Sequence, residues 1–498
     1  MKVEITKTHR LHPELERSNQ QTATLPVIDS WGSYWRTLVP IYLFDAYSGQ
    51  GNLHSELFQS ITRTLNVFPQ LAGTLEPSTI HRGEGKGQLL QRTRVVWGGN
   101  TPGGEFIEAR TNVRIRSLLP RPVHNAPSFL WDRAEESLRP LFPQTYPENS
   151  GPRVQVTSFR CGGFGIALDF DHGLADAYTV GLFMRHWSAT HNQMFAQEST
   201  STAAIPKILF NPQLVEEKAP KFDEHRGPDE ALLQKARELP NRRPDRRALD
   251  SIKNEATMAQ VSTAKPPSKP SAGAPYLLHV SALDYERITR EIQGEATLQI
   301  TDQVAFISFL WAALNRARAR VSSRPPLDLH LALSFRWLLG LPDGLLGSPL
   351  IAVMMNGGKE GEASYTDAIK LAVEITETLD KFDEDALLAI TYDASLRNSP
   401  TSIVRSGEWK ERMEFSSGVG LGSSNFTFGS HSPVFVGPIF LPVDNLFIMA
   451  EGLPNNPSSV SSKWYKYGAE VFFSVPQDVL QALLADPAFA TLELLSEA

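Results

Sequence analysis

His172 and Asp176 could perform acid-base chemistry, because an imidazole titrates near neutral pH and a carboxylate can orient it. The spacing His-x-x-x-Asp occurs twice in the 498 residues. The second pair, His225 and Asp229, lies in the charged segment HRGPD, where we expect both side chains to stay in water with nothing to position them. The first pair, in the segment DHGLADA, is therefore the candidate for chemistry.

The segment before His172 predicts a strand that ends on this residue. In IALDFDH the apolar residues alternate, so His172 closes an inward-facing row that begins at Ile166. Apolar residues at helical spacing follow from Val180 to Trp187 and predict a helix that begins near Asp176. Two alternatives remain open from the pattern alone: Asp176 as the N-cap of that helix, and His172 as a core histidine with satisfied hydrogen bonds.

Other catalytic patterns are absent or weak in the sequence. It contains no G-x-S-x-G, H-E-x-x-H or P-loop motif and no further ligands at metal spacing near His172, so we predict no metal. The glycine cluster GVGLGSS, residues 418–424, lacks the setting of a dinucleotide site, and we interpret it as a flexible turn near a ligand cleft. Cys161 is the single cysteine, which excludes an internal disulfide and favours a reducing compartment. We expect it to be a small, half-buried residue rather than a nucleophile.

Charge and hydropathy exclude several classes of partner. The net charge of −7, with acidic and basic residues mixed, offers no basic stripe for nucleic acid and no polybasic patch for anionic lipid. No segment approaches about 18 uninterrupted apolar residues, and the opening MKVEITKTHRLHP lacks the apolar run of a signal peptide. We therefore expect a cytoplasmic protein that binds neither nucleic acid nor membrane.

The length of the chain predicts two domains, because one core rarely keeps growing to this size. Residues 1–205 alternate strand-like and helix-like runs and form the first domain. Residues 206–275 are charged and rich in proline, which predicts a solvated crossover linker. Residues 276–498 form the second domain, and a ligand would occupy the cleft between the two α/β halves.

Local patterns predict individual elements within these domains. Apolar residues four apart in NLHSELFQSITRTLNVFP predict a helix that Pro69 ends. TDQVAFISFLWAALNRARAR predicts a helix with Thr301 as its cap. The residues of this helix that we expect to face inward are Val304, Ile307, Leu310, Trp311 and Leu314. Short strands are predicted in LDLHLALSFRWL, SPVFVGPIFLPV and AEVFFSVP.

Segments along the whole chain share residue types and order with one enzyme family. They are LPVIDSW, LFQSITRTLNVFPQLAGTL, FGIALDFDHGLADAYTVGLFMRHW, TDQVAFISFLWAALNRAR, LSFRWLLGLPDGLLGSPL, SSNFTFGSHSPVFV and GAEVFFSVP. Together they resemble the BAHD acyl-CoA-dependent acyltransferases, in particular the diverged fungal members of secondary metabolism. The joint order, from residue 1 to about residue 490, is far more specific than any single segment.

The resemblance implies both a fold and a reaction. The fold would be α/β, with two similar chloramphenicol-acetyltransferase-like domains of mixed sheet plus helices joined by a long crossover loop. The reaction would move an acyl group, with acetyl favoured, from acyl-CoA to a hydroxyl of a small alkaloid, terpenoid or polyketide. By resemblance His172 is the general base, and Asp176 points away from the substrate and pairs with Arg336. The resemblance implies no covalent intermediate and no permanently bound cofactor, and two similar halves in one chain predict a monomer.

Contacts to coenzyme A are assigned by resemblance alone. Ser281 is the candidate for the phosphates, and Ser416 and Ser417 are the candidates for the pantetheine arm. Two alternatives are equally open: Ser281 caps a helix that begins near Asp284, and the serine pair lies in an ordinary loop.

The sequence departs from the family pattern at several positions. The family motif Asp-Phe-Gly-Trp-Gly, mainly structural, is replaced by Asn425, Phe426, Thr427, Phe428 and Gly429. Ala177 replaces the glycine after the motif aspartate, and Ser348 stands where the family has Asn.

Three other functions remain open. The chain could be a condensation-type domain that takes acyl groups from carrier proteins, although Asp171 stands where such domains carry a second histidine. It could acylate an amine with the same base. It could also be a catalytically silent binding protein that keeps the fold.

Overall fold

A computed structural model describes most of the chain. The described residues are 1–15, 19–32, 40–47, 51–82, 88–119, 128–132, 138–143, 151–195, 205–223, 225–240, 273–321, 326–357, 363–396, 412–438, 444–453 and 463–492. All structural statements below concern these residues.

Sixteen strands are found among the described residues. They are β1 (Glu4–Leu11), β2 (Gln21–Thr24), β3 (Pro40–Phe44), β4 (Thr74–Arg82), β5 (Gln88–Trp97), β6 (Gly104–Thr111), β7 (Phe129–Asp132), β8 (Arg153–Phe159), β9 (Phe164–Asp169), β10 (Gly273–Val280), β11 (Asp328–Ser334), β12 (Leu350–Met355), β13 (Arg412–Ser417), β14 (Phe435–Pro438), β15 (Leu446–Glu451) and β16 (Ala469–Pro476).

The helices in the same part of the chain are of very different lengths. They are α1 (Val27–Gly32), α2 (Leu53–Thr64), α3 (Ala177–Phe195), α4 (Leu214–Lys218), α5 (Glu230–Glu238), α6 (Ala282–Glu295), α7 (Asp302–Val321), α8 (Phe335–Leu338), α9 (Ala368–Leu379), α10 (Glu384–Ser395) and α11 (Gln477–Leu484).

The first large sheet has the strand order β1-β6-β8-β9-β3-β14, and a small sheet β2-β5-β4 accompanies it. Strand β9 is central, antiparallel to both β8 and β3, and all of its residues are buried. Ile166 and Leu168 face a core shared with α2 and α3, whereas Ala167 faces the opposite core. The predicted alternation of faces in β9 is therefore confirmed.

The second large sheet has the order β12-β11-β13-β15-β16-β10-β7 and packs on the long helix α7. The side chains of α7 that were predicted to face inward are all buried: Val304, Ile307, Leu310, Trp311 and Leu314. Thr301 Oγ1 accepts the Val304 N–H at 3.3 Å, as expected for a cap. The predictions for this helix are confirmed.

Each large sheet receives one strand from the other half of the chain. Strand β14 pairs with β3 in the first sheet, and β7 pairs with β10 in the second. A third apolar core contains Ile41 and Leu43 from the first half together with Leu277, Phe435 and Phe472 from the second. The two halves are therefore interlocked by backbone pairing and by a shared core.

Several local predictions need correction. Helix α2 ends at Thr64, before Pro69 is reached, and Pro69 opens a short 3-10 turn. In LDLHLALSFRWL only the first part is a strand; residues 335–338 form α8, because the Ser334 hydroxyl accepts the Arg336 N–H at 3.3 Å and caps a turn there.

The predicted linker, residues 206–275, is not uniformly solvated in its described part. It contains α4 and α5, which bury Val215, Leu233 and Ala236. Asp229 caps α5 by accepting the N–H groups of residues 231 and 232. Asp229 is therefore positioned, contrary to expectation, whereas His225 is exposed as expected. None of the helices in the described residues is long and apolar enough to span a bilayer.

Candidate active site

The turn after β9 carries the candidate imidazole. Asp171 organises this turn: its Oδ1 accepts the Gly173 N–H at 2.9 Å, and its carbonyl accepts the N–H of Leu174 at 3.0 Å. A short carboxylate that bonds the main chain two residues on favours a turn over a strand. The predicted end of the strand is therefore wrong, because β9 ends at Asp169 and His172 lies in the turn.

The imidazole of His172 is held at Nδ1. This atom lies 3.2 Å from Ser348 Oγ, and the ring also bonds its own main-chain carbonyl. A carbonyl only accepts, and Nδ1 is the ring nitrogen closest to the main chain, so Nδ1 carries the proton and Nε2 keeps its lone pair. No residue in the described ranges hydrogen-bonds Nε2.

The environment of His172 favours the neutral ring. Burial lowers the pKa of this imidazole, while the bond to its own carbonyl and the charge of Asp176 oppose the shift. The half-buried ring is therefore unprotonated at Nε2 at neutral pH, which is the state that a general base needs.

Asp176 is committed to an ion pair rather than to the imidazole. Arg336 Nε and Nη2 donate to its carboxylate at 3.1 to 3.2 Å, and both side chains are only 4% exposed. The Thr179 N–H donates to Asp176 Oδ1 at 2.8 Å, so the same carboxylate also caps α3. The guanidinium lies 4.7 Å from the ring centre of Tyr178. The N-cap and the ion pair are thus two roles of one carboxylate.

The same arginine holds the segment that carries Ser348. Arg336 donates to the carbonyl of Leu345 at 2.6 Å and to that of Gly347 at 2.9 Å. Thr179 Oγ1 donates to the Gly347 carbonyl at 2.9 Å, and residues 175 and 347 form a parallel β-bridge. The second half of the chain therefore delivers Ser348 to the histidine turn of the first half.

Asp29, in α1, packs against this segment at Gly347. It is buried, and its carboxyl accepts the main-chain N–H of Ser348. Burial raises the pKa of Asp29 from its ordinary value of 3.8 to about 8, with Arg336 and the Ser348 N–H opposing the shift. The carboxyl is therefore largely protonated at neutral pH.

Comparison with known proteins identifies the family. The profile of the Transferase family matches residues 1–460. Acyltransferase abl6 of Leptosphaeria maculans is 61% identical over the whole length of both chains. The chain belongs to this family, the BAHD acyltransferases. It is an acyl-CoA-dependent acyltransferase, as the resemblance implied.

One further relative and one solved structure are informative. Acyltransferase AFT15-1 of Alternaria alternata is 30% identical to this BAHD acyltransferase, over 99% of this chain and 98% of the relative. The structure of TRI101 from F. sporotrichioides, solved with coenzyme A and T-2, matches with a TM-score of 0.65 and 14% identity. That match covers 95% of this chain and 99% of TRI101. The predicted two-domain α/β fold is confirmed.

The predicted coenzyme A residues of this BAHD acyltransferase lie in the second half. Ser281 is buried and caps α6, because its Oγ accepts the Asp284 N–H at 3.1 Å. Ser416 and Ser417 end β13, beside β15, and both are half-buried. The structure does not bring Ser281 into the hydrogen-bonded network around His172, and its coenzyme A contact stays a prediction.

The diverged family motif lies in the core of the first sheet. Phe426 and Phe428 are buried, and the Phe428 ring meets Trp187 edge-on with centroids 5.1 Å apart. Asn192 on α3 donates to the Thr427 carbonyl at 3.1 Å and accepts the Gly429 N–H at 2.7 Å. Asn425 ends a 3-10 turn before this segment. All of these contacts are structural.

The remaining chemical candidates have structural explanations. The Gly422 N–H donates to the Glu451 side chain at 3.0 Å, so GVGLGSS binds a carboxyl group of the protein itself. Cys161 is exposed in the turn between β8 and β9, not half-buried as expected. Within the described ranges there is no group of three or more potential metal ligands.

Sequence reasoning missed the roles of Asp29, Thr179 and Ser348 in this network. Asp29 lies in LPVIDSW and Ser348 at the end of LSFRWLLGLPDGLLGSPL, so both fall in segments that resemble the family. Their position in those segments could have marked them as candidates. Their proximity to His172 could not be predicted, because residues 29, 172 and 348 come together only in the folded protein.

Proposed function

We propose that the protein transfers an acyl group, with acetyl favoured, from acyl-CoA to a hydroxyl of a small secondary metabolite, with His172 as general base. One observation carries this proposal: the imidazole is fixed at Nδ1 by Ser348 and its own carbonyl, and Nε2 is left without a partner among the described residues. Nε2 is the atom that can accept a proton from a substrate.

The chemistry needs only one base. As the acceptor oxygen bonds to the thioester carbonyl carbon, its proton moves to His172 Nε2. The tetrahedral intermediate then expels the coenzyme A thiolate, which takes the proton back from the imidazolium. Positioned proton transfer of this kind contributes roughly 10² to 10⁴ in rate.

The donor and the acceptor class are supported by the comparisons. AFT15-1 and abl6 carry the name acyltransferase, and TRI101 was solved with coenzyme A and T-2 together. Ser416 and Ser417 remain our candidates for the pantetheine arm, with Ser281 for the phosphates. We expect a monomer, since the two halves of one chain together build the site. We also expect a cytoplasmic location.

The decisive experiment follows coenzyme A release with a thiol reagent across a panel of alcohols and amines. We expect His172→Ala to fold normally and to lose about 10²- to 10⁴-fold in kcat/KM. His225→Ala is the matched control, because it removes the exposed histidine of the other His-x-x-x-Asp pair. Unimpaired turnover in His172→Ala contradicts the proposed mechanism. Dependence of turnover on a carrier protein favours the condensation-type alternative.

A further inference from the structure

Asp29, a buried acid on the first helix, contacts the main chain of Ser348, and the hydroxyl of Ser348 contacts His172. We propose that Asp29 is a positioning residue, which fixes Ser348 so that its hydroxyl sets the orientation and basicity of His172. This inference rests on the proposed role of His172 as the base. It assigns the carboxyl of Asp29 no contact with substrate.

The first step is the contact between Asp29 and the segment that carries Ser348. Asp29 is 4% exposed, and its carboxyl accepts the Ser348 N–H, while its Oδ1 has no hydrogen-bond partner in the described part of the chain. Ser348 itself is 2% exposed. A buried N–H without an acceptor is costly, so the carboxyl anchors this peptide group.

The second step is the close approach that Gly347 allows. Its φ of +134° lies in the range that favours glycine, and a Cβ at this position would lie 2.5 Å from Asp29 Oδ2. The carboxyl is therefore packed directly against the main chain before Ser348. An alanine here would displace either the segment or the acid.

Side chains from three helices hold this segment. Thr179 of α3 and Arg336 of α8 bind Gly347, while Asp29 of α1 binds the next peptide group. Asp29 binds the main-chain N–H of Ser348. The main chain of Ser348 is therefore fixed in position, and its hydroxyl reaches the imidazole from there.

The hydrogen bond between Ser348 and His172 affects the basicity of the imidazole. Because Nδ1 carries the proton, Ser348 Oγ accepts from it at 3.2 Å and stabilises the imidazolium that forms when Nε2 takes up a proton. Loss of this bond lowers the pKa of His172 and weakens the base. The other ionisable groups at this site are Asp176, Arg336 and Glu216, and their charges act whether or not Ser348 is present.

The charge state of Asp29 suggests a conservative replacement. With its pKa raised to about 8, the acid is mostly neutral at pH 7 and accepts the Ser348 N–H as a carbonyl would. Asp29→Asn keeps such an oxygen, whereas Asp29→Ala removes it. The asparagine variant should therefore rescue what the alanine variant loses.

The test compares Ser348→Ala, Asp29→Ala, Asp29→Asn and the double alanine variant by kcat, KM and the pH profile of kcat/KM. We expect each alanine variant to lose about 3- to 10-fold in kcat with KM nearly unchanged. The acid limb of the profile should move to lower pH, because an imidazole with a lower pKa loses its proton at a lower pH. The double variant should be no worse than Ser348→Ala, since both changes act through one hydrogen bond.

Three results would overturn the inference: multiplicative losses in the double variant, an unshifted acid limb in Ser348→Ala, or Asp29→Asn as slow as Asp29→Ala. If Asp29→Ala does not fold, Asp29→Asn and Ser348→Ala still decide the matter through the acid limb. Failure of the proposed function is distinguishable, because His172→Ala would then stay active. An inactive His172→Ala with unaltered Ser348→Ala contradicts only the role of Ser348 and Asp29.

Discussion

At the scale of single residues, the two members of the His-x-x-x-Asp pair have different partners. The imidazole of His172 bonds Ser348, whereas the carboxylate of Asp176 is occupied by Arg336 and by the first turn of α3. The charge of Asp176 raises the pKa of His172 less than burial lowers it. The aspartate therefore maintains the turn that carries His172, the proposed base.

We expect Asp176→Ala to reduce stability rather than to alter the chemistry. The change leaves the charge of Arg336, whose side chain is 4% exposed, without its partner. It should lower the free energy of unfolding by about 3 to 5 kcal/mol. Melting temperature and soluble yield measure the effect. Glu4→Ala is the control, because Glu4 pairs with Arg110 at the surface and its loss should leave the melting temperature unchanged. Wild-type melting of Asp176→Ala would contradict the structural role.

The site residues differ in how far the sequence could reveal them. His172 and Asp176 lie four positions apart, so their turn and helix cap follow from a local pattern. Asp29 and Ser348 reach the same place from the first helix and from the second half of the chain. Nothing in the spacing of these residues encodes that meeting, which depends on packing between distant segments.

At the scale of elements, α3 connects the active-site turn to the core of the first sheet. Its first turn binds Asp176 and the Gly347 carbonyl. Three turns later Ser188 donates to the Thr427 carbonyl at 2.7 Å, and the Asn192 side-chain amide donates to the Thr427 hydroxyl. One helix therefore fixes both the turn that carries His172 and the diverged family motif.

We expect Asn192→Ala to destabilise the protein by about 2 to 4 kcal/mol, because it leaves the half-buried Gly429 N–H without its acceptor and removes two bonds to Thr427. Thermal unfolding measures this loss. Gln193→Ala, at the exposed neighbouring position of the same helix, should leave the melting temperature nearly unchanged. A large fall in kcat at equal stability would instead indicate that the motif takes part in the chemistry.

Elements with a strong local signal were predictable, and those set by long-range packing were not. Helix α7 has a cap and a continuous apolar face, so its position follows from the sequence. Helix α8 is four residues long and continues an apolar strand pattern, so only the Ser334 cap distinguishes it. Helices α4 and α5 lie in a charged, proline-rich stretch, and few of their side chains are buried.

At the scale of the whole molecule, the two halves that build the site also exchange strands. Strand β7 adds the sequence FLWD to the second sheet, and β14 adds FVGP to the first. Trp131 on β7 and Phe435 on β14 meet edge-on with ring centres 6.3 Å apart. Composition divides the chain at its proline-rich stretch, but four-residue strands carry too little signal to reveal that each sheet needs the other half.

The interlocked sheets predict the behaviour of a chain cut within residues 241–272, the charged, proline-rich stretch. A protease site introduced there should yield two fragments that elute together and keep turnover, because β14 stays paired with β3 and β7 with β10. Gel filtration before and after cleavage measures this association. The same fragments expressed separately should aggregate, since each exposes an edge strand and half of the core around Leu43 and Phe435. Fragments that separate in native buffer would show that the exchanged strands do not hold the halves together.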